Sequence, residues 1–156
     1  MPPHHDLYEE YSHAINDIYK KYTDLVEPFG IDESWLDVTG SYALFGDGKT
    51  IADTLRQRIK KEIGLTISVG VSFNKVFAKL GSDYKKPDAT TVITRENFKE
   101  IVSPLPVIDL LFAGKKTAFQ LDKLKIKTIG DLANANKELL YKKFGKSSFY
   151  FFTKFI

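Results

Sequence analysis

The stretch Ile31-Asp32-Glu33-Ser34-Trp35-Leu36-Asp37 places two carboxylates side by side. Short apolar segments without a helical period surround it over residues 25–39, which predicts two strands joined by a tight connection near residues 32–34. Successive side chains of a regular strand point to opposite faces, so both acids serve one site only if the chain turns there. Two such oxygen ligands would suit Mg²⁺. A solvated hairpin turn explains the same residues without any metal.

Helical and strand-like segments alternate on both sides of this acidic stretch. Apolar spacing predicts helices over residues 6–23 and 50–63, and alternating β-branched residues predict a strand over residues 65–71. A third helix, capped by Ser72 or Asn74, runs to about Tyr84, and a short strand follows over residues 90–94. Beyond the linker at residues 103–106 only short helices are expected. The fold class predicted is α+β, with a small helical unit at the end.

Composition excludes several classes of protein. The chain has 156 residues, 43% of them hydrophobic, and no cysteine. Intrinsic disorder, a disulfide framework, a thiolate zinc site and a thiol nucleophile are therefore excluded. No apolar run is long enough to span a bilayer, and no signal peptide opens the chain. The expectation is a cytoplasmic, soluble protein without a membrane partner, of one domain or one plus a small companion.

Positive charge is concentrated at the C-terminal end. Residues 109–156 hold ten lysines against four acids, a net charge of +6, whereas the whole chain carries +3. This distribution indicates contact with a polyanion through the last third of the chain. A lysine-rich surface exposed to water is the alternative.

Lysines also follow the strand predicted over residues 65–71. Lys75 and Lys79 lie four residues apart on one helix face, and Lys85 and Lys86 precede Pro87. A helix that begins after a strand presents free backbone N–H groups, so the segment could contact phosphate. The alternative is that these lysines form the wet face of an amphipathic helix.

A basic helical unit follows the linker. The run Gly114-Lys115-Lys116-Thr117 opens one short helix, and a second begins near Ile129 after a tight turn. Two such helices can form a helix-hairpin-helix, in which backbone N–H groups and lysines hold nucleic-acid phosphates without reading sequence. A small helical packing module is the alternative.

The segments together are more specific than any one of them. Their ordered series resembles the Y-family translesion DNA polymerases of the bacterial DNA polymerase IV type, over residues 3–149. The residues that carry the resemblance are Tyr8, Tyr11-Ser12, Tyr22-Thr23, Glu27-Pro28, Ile31-Asp32-Glu33, Leu36-Asp37-Val38-Thr39, Gly70-Val71-Ser72, Asn74-Lys75, Ala78-Lys79, Lys86-Pro87 and Gly114-Lys115-Lys116-Thr117.

The resemblance implies a role for each candidate residue. Residues 1–107 would be the later part of a catalytic palm, with a mixed or antiparallel sheet and helices on one face, and residues 108–156 a thumb. Asp32 would bridge two Mg²⁺ ions, for which Mn²⁺ could substitute, and Glu33 would lie near the attacking 3′-hydroxyl. Lys86 would contact the triphosphate of the incoming deoxynucleotide. Residues 114–117 would hold primer–template DNA, and a sliding clamp would bind the full-length parent.

The chain departs from the family pattern in several places. The family begins with a strand carrying another metal-binding Asp and continues into a fingers region, and it ends in a little-finger domain; none of these is present. We therefore expect no polymerase activity from the chain alone, and self-association through an exposed sheet edge.

Two substitutions fall in the region similar to the thumb. Phe112 stands where a glycine is expected, and Lys125 replaces a turn glycine at a cost on the order of 1–2 kcal/mol if its backbone is left-handed. Two further functions remain open: a non-catalytic, sequence-independent DNA-binding module that acts through the basic C-terminal third, and a scaffold without nucleic-acid contact.

Overall fold

The computed structural model describes residues 5–111 and 113–155, and it confirms the α+β class. Phe112 lies outside the described residues. The strands are β1 (Val26–Phe29), β2 (Glu33–Leu36), β3 (Val69–Ser72) and β4 (Thr90–Ile93). The helices are α1 (His5–Tyr19), α2 (Tyr42–Phe45), α3 (Gly48–Glu62), α4 (Lys75–Tyr84), α5 (Phe98–Val102), α6 (Lys115–Asp122), α7 (Ile129–Ala133) and α8 (Lys137–Phe155), the last kinked at Gly145.

The strands form two separate pairs rather than the single sheet that was predicted. β1 and β2 form an antiparallel hairpin, and β3 and β4 are parallel, with α4 as the crossover between them. Within the described part of the chain, β2 and β3 each have one neighbouring strand, so each leaves one edge without a strand partner. Self-association through such an edge stays a prediction.

Several boundaries differ from the sequence-based expectation. Helix α1, predicted to run to residue 23, ends at Tyr19, and residues 20–22 form a turn. The hairpin turns at residues 30–32, slightly early, because Gly30 adopts a φ of +75°. The strand predicted from residue 65 begins only at Val69, whose N–H donates to the carbonyl of Ala89 over 2.8 Å. In the described part of the chain no strand lies beside residues 65–68, because β4 begins only at Thr90, after a loop around Pro87.

Helix caps agree with the sequence. Asn74, rather than Ser72, caps α4 by accepting a hydrogen bond from the Phe77 N–H at 2.8 Å. The Ser72 hydroxyl instead donates to the carbonyl of Ile93 at 2.8 Å, which ties β3 to β4. At α7 the side chain of Thr128 and the carboxylate of Asp131 cap each other's backbone N–H groups.

The close approach of α4 to β3 depends on glycine. A Cβ added to Gly70 would lie 1.8 Å from the carbonyl oxygen of Ala78 and 2.5 Å from the nitrogen of Ser82. Gly81 faces Gly70 from the helix, with its own virtual Cβ 3.0 Å from the Cα of Gly70. The helix therefore lies against the strand backbone to backbone, and this fixes where its polar side chains emerge.

Three buried apolar clusters hold the elements together. One cluster joins α1 to α3, and another lies among α6, α7 and α8. The remaining cluster joins α4, β4 and α5 to Leu110, Ala113 and Ile129. It therefore includes residues from both sides of the domain boundary predicted between residues 107 and 108. That boundary stays a prediction. No helix among the described residues is long and apolar enough to cross a membrane.

Lys125 has a left-handed backbone, with a φ of +61°, so the condition for the Cβ penalty is met. Its N–H donates to Asp122 and the N–H of Ile126 donates to Leu121, which closes the end of α6. Replacing Lys125 with Gly is expected to raise the free energy of unfolding by up to about 1 kcal/mol, because glycine removes the Cβ penalty. Urea denaturation measures the change. Lys123→Gly is the matched control: its φ is −60°, so it should destabilise instead. Equal effects of the two changes would contradict the argument.

Candidate active site

One cavity of about 460 Å³ lies between the β1–β2 hairpin, β3 and the loop before β4. Its walls include residues 32–36 of the hairpin, residues 66–72 around β3, and residues 86–88 of the loop before β4. Asp32, Glu33 and Lys86 all line it. The structure thus brings Lys86 to the adjacent pair Asp32 and Glu33, from which it is far apart in the sequence.

The hairpin turn directs both acids to this cavity. Asp32 is the last residue of the turn, and Glu33 is the first residue of β2, opposite Phe29. Because Asp32 lies outside the regular strand, the alternation of strand faces does not separate the two side chains. The hydroxyl of Ser34 donates to the side-chain oxygen of Asn16 at 2.8 Å, which holds β2 against α1. The geometric condition set from the sequence is therefore met.

Lys79 is the cation nearest to the acidic pair. Its Nζ lies 2.7 Å from Glu33 Oε1 and 2.8 Å from Asp83 Oδ2, and its side chain is only 19% exposed. Burial would lower the pKa of Lys79, but hydrogen bonds to Asp83 and Glu33 outweigh burial and raise the pKa above its ordinary value. Lys79 is therefore a fixed positive charge beside Glu33.

Asp83 links Lys79 to Lys86. The Nζ of Lys86 lies 2.6 Å from Asp83 Oδ1, so the two oxygens of Asp83 hold one lysine each. Burial would raise the pKa of Asp83, yet the two lysines lower it. Glu33, Lys79, Asp83 and Lys86 form a row of alternating charges, which we call the ion-pair row; all of them except Asp83 line the cavity.

The loop that carries Lys86 is held by a second set of ion pairs. The Lys86–Pro87 peptide bond is cis, and Asp88 follows with a φ of +50°. Arg56 Nη2 lies 2.8 Å from Asp88 Oδ1, and Lys60 Nζ lies 2.9 Å from Asp88 Oδ2. Hydrogen bonds from Lys60 and Arg56 lower the pKa of Asp88. Helix α3 therefore anchors the loop and keeps Lys86 at the cavity.

Lys75 supports the hairpin rather than the cavity. Its ammonium pairs with Glu27 and lies 5.1 Å from the centre of the Trp35 ring. The indole N–H of Trp35 donates to the carbonyl of Lys75 at 3.2 Å. Of the two lysines that share a helix face, Lys79 is the one that reaches the acidic pair.

The basic run at residues 114–117 lies apart from this cavity. Gly114 caps α6, and Lys115 and Lys116 are exposed in its first turn. None of the four residues lines the cavity. Within residues 5–111 and 113–155, Lys115 and Lys116 have no ion-pair partner. The structure therefore leaves two separate candidate sites.

The acidic pair can bind a divalent cation only if other groups supply further oxygen ligands. Among the described residues no three acidic, histidine or cysteine side chains are grouped to hold a metal ion. Asp32 and Glu33 supply carboxylate oxygens, and Mg²⁺ commonly binds one or two carboxylates together with water and substrate phosphates. The donor set therefore fits Mg²⁺ if the remaining ligands are phosphate or water oxygens, or another carboxylate.

Comparison with known proteins identifies relatives over most of the chain. The impB/mucB/samB family matches residues 1–83. The DNA polymerase IV of Acetivibrio thermocellus is 56% identical over 142 residues, 91% of this chain and 36% of that protein. The DNA polymerase IV of Ralstonia nicotianae is 43% identical over 149 residues, 96% of this chain and 42% of that protein. The chain thus spans well under half the length of these relatives.

Solved structures agree with the sequence relatives. DinB from Sulfolobus solfataricus superposes with a TM-score of 0.84 and 30% identity, over 96% of this chain and 44% of that one. An insertion ternary complex of Dbh DNA polymerase gives a TM-score of 0.85, also at 30% identity, with the same coverage. The chain belongs to the impB/mucB/samB family, and its resemblance to the Y-family DNA polymerases of the DNA polymerase IV type is confirmed.

Proposed function

We propose that this chain supplies part of the active site of an error-prone, template-directed DNA polymerase that acts in translesion synthesis and DNA repair. The observation that carries the proposal is the meeting of Asp32, Glu33 and Lys86 in one cavity. Relatives named DNA polymerase IV support it. In this proposal residues 1–107 are the later part of the palm and residues 108–156 are the thumb.

Each residue of the cavity has a distinct part in the proposed reaction. Asp32 and Glu33 would hold Mg²⁺, with Asp32 between two ions and Glu33 on the side of the 3′-hydroxyl. Two such ions, when bound, activate the attacking oxygen and steady the leaving pyrophosphate. Lys86 would bind the triphosphate of the incoming deoxynucleotide and offset the negative charge that grows on it. Arg56 and Lys60 act on Lys86 by holding the loop at Asp88.

The chain by itself is proposed to be inactive. Asp32 and Glu33 are two carboxylates, and the family resemblance implies a third, which no described residue of this chain supplies beside them. Without the third carboxylate, less negative charge offsets the repulsion between two neighbouring divalent ions, so the ions should bind more weakly. In the full-length context the partners would be primer–template DNA, an incoming deoxynucleotide and a sliding clamp.

A chimeric polymerase tests the proposal. In it, this chain replaces the matching 142-residue segment of the Acetivibrio thermocellus DNA polymerase IV. We expect Mg²⁺-dependent primer extension by the chimera, with the unmodified relative as positive control. A chimera that folds and binds primer–template DNA with unchanged affinity, yet does not extend the primer, would contradict the proposed function.

A second candidate function is a DNA-binding module without catalysis. The exposed Lys115 and Lys116 and the net charge of +6 over residues 109–156 favour it. Helices α6 and α7 with the turn between them would form a helix-hairpin-helix, in which residues 114–117 contact the DNA backbone. Such contacts give affinity that does not depend on sequence.

Charge reversal at Lys115 and Lys116 separates this surface from the rest of the molecule. The double change to Glu is expected to weaken duplex binding at least about tenfold and to reduce the salt dependence by about two phosphate contacts. Fluorescence anisotropy over a series of salt concentrations measures both. The matched control reverses Lys20 and Lys21, an adjacent exposed pair in the body, and should change little. Equal losses in both variants would show that net charge alone governs binding.

A further inference from the structure

We propose that Asp83 is a positioning residue that couples the acidic pair to Lys86 by sharing its carboxylate between Lys79 and Lys86. When Glu33 is taken by a divalent cation, Lys79 turns fully to Asp83 and Lys86 is released to bind phosphate. This inference rests on the proposed function, and it adds a residue to which neither the sequence nor the family resemblance assigned a role.

The geometry of the ion-pair row gives the coupling its path. Glu33 Oε1 lies 2.7 Å from the Nζ of Lys79, which lies 2.8 Å from Asp83 Oδ2. The other oxygen of Asp83 lies 2.6 Å from the Nζ of Lys86. Lys79 and Asp83, in the middle of the row, are thus each paired with two partners of opposite charge. A change at one end alters the competition at the other end.

The two lysines differ in how freely they can move. Lys79 is 19% exposed and pairs with two carboxylates, so its charge stays between them. Lys86 is 56% exposed and pairs with Asp83 alone among the described residues. An exposed ion pair of this kind is weak and exchanges readily with another anion. Lys86 is therefore the member of the row that can leave it.

The charges give the direction of the coupling. A divalent cation at Asp32 and Glu33 would lie close to the ammonium of Lys79, and like charges repel at that range. Displaced from Glu33, Lys79 keeps Asp83 as its partner and satisfies that carboxylate more completely. Asp83 then attracts Lys86 less strongly, and the lysine is free for a triphosphate. Binding at the two ends is therefore mutually favourable, as linkage requires.

The test imitates displacement at Glu33 without any metal. Binding of inorganic tripolyphosphate to the full chain is measured by calorimetry in a metal-free, EDTA-containing buffer. Glu33→Gln releases Lys79 from Glu33. Asp83→Asn keeps the shape of the side chain and releases Lys86, while Lys79 keeps Glu33 as its partner. Each is expected to strengthen tripolyphosphate binding about three- to fivefold, the effect of freeing one exposed ion pair.

Controls separate coupling from simple loss of negative charge. Asp37→Asn removes an exposed carboxylate that does not line the cavity and has no contact in the row, and should change binding less than about 1.5-fold. Glu33→Gln added to Asp83→Asn should give no further gain, because both act through the same lysine. Lys86→Met should weaken binding and cancel the gain from Asp83→Asn. Circular dichroism confirms that each variant is folded.

The outcomes distinguish this inference from the proposed function. If Lys86→Met leaves tripolyphosphate binding unchanged, the assignment of Lys86 to the triphosphate fails, and the inference fails with it. If Lys86→Met weakens binding but Glu33→Gln and Asp83→Asn act additively, only the coupling through Asp83 is overturned. A gain from Asp83→Asn that survives Lys86→Met also overturns it.

Discussion

Replacing Glu33 with Gln in the chimeric polymerase is expected to lower the rate of primer extension about a thousandfold, and Asp32→Asn should do the same. Both changes keep the size of the side chain and remove the negative charge that would hold Mg²⁺ against the reacting phosphate. The negative charge that develops in the transition state is stabilised by groups already fixed in place. Loss of a carboxylate that holds Mg²⁺ should therefore lower the rate of the chemical step. Single-turnover extension of a labelled primer measures that step directly.

Asp37→Asn is the matched control for these two changes. Asp37 lies four residues after Glu33, is exposed, and does not line the cavity. Its carboxylate accepts a hydrogen bond from the Thr39 N–H at 3.0 Å, which the amide oxygen of Asn can still accept. Extension should therefore fall less than about threefold. Primer–template affinity, measured separately, should change little in all three variants. Wild-type extension by Glu33→Gln or Asp32→Asn would refute the assignment of the acidic pair.

Local sequence signals predicted most of the elements. Asn74, one of the two caps expected, begins α4, and α3 ends at Glu62, one residue before the predicted end. These features depend on a few neighbouring residues, so the sequence is enough to find them. The start of β3 was wrong because a strand begins where its neighbour begins, and β4 begins only at Thr90.

The candidate site was predictable only in part. The residues alone pointed to Asp32, Glu33 and the basic segment that contains Lys86, the resemblance implied a role for each, and the structure places all three at one cavity. Asp83 was missed, because an acid four residues after Lys79 is typical of a solvated helix face. Asp83 lies four residues after Lys79 and three before Lys86, and this spacing could have indicated that it pairs with both lysines. The anchoring of Asp88 by Arg56 spans 32 residues in the sequence, and no local pattern indicates it.

Gly70→Ala is expected to cost about 3 kcal/mol or more of the free energy of unfolding, because the added methyl group would overlap backbone atoms of α4. The added Cβ would meet the carbonyl oxygen of Ala78 at 1.8 Å and the nitrogen of Ser82 at 2.5 Å. Both atoms belong to the backbone of α4, so trimming a neighbouring side chain cannot relieve the overlap. Helix and strand must move apart, and the contacts of Phe77 and Leu80 in the core loosen with them.

Thermal unfolding tests this expectation, with Gly40→Ala as the matched control. The virtual Cβ of Gly40 meets nothing within 4 Å, and its φ is not positive, so that variant should stay within about 0.5 kcal/mol of the wild type. A loss of 3 kcal/mol in a chain of this size lowers Tm by about 6–12 °C. An unchanged Tm in Gly70→Ala would mean that α4 does not lie on β3 as described. Because α4 also carries Lys79 and Asp83, the same displacement would pull the ion-pair row away from Glu33, and the cavity would lose its charge pattern along with its packing.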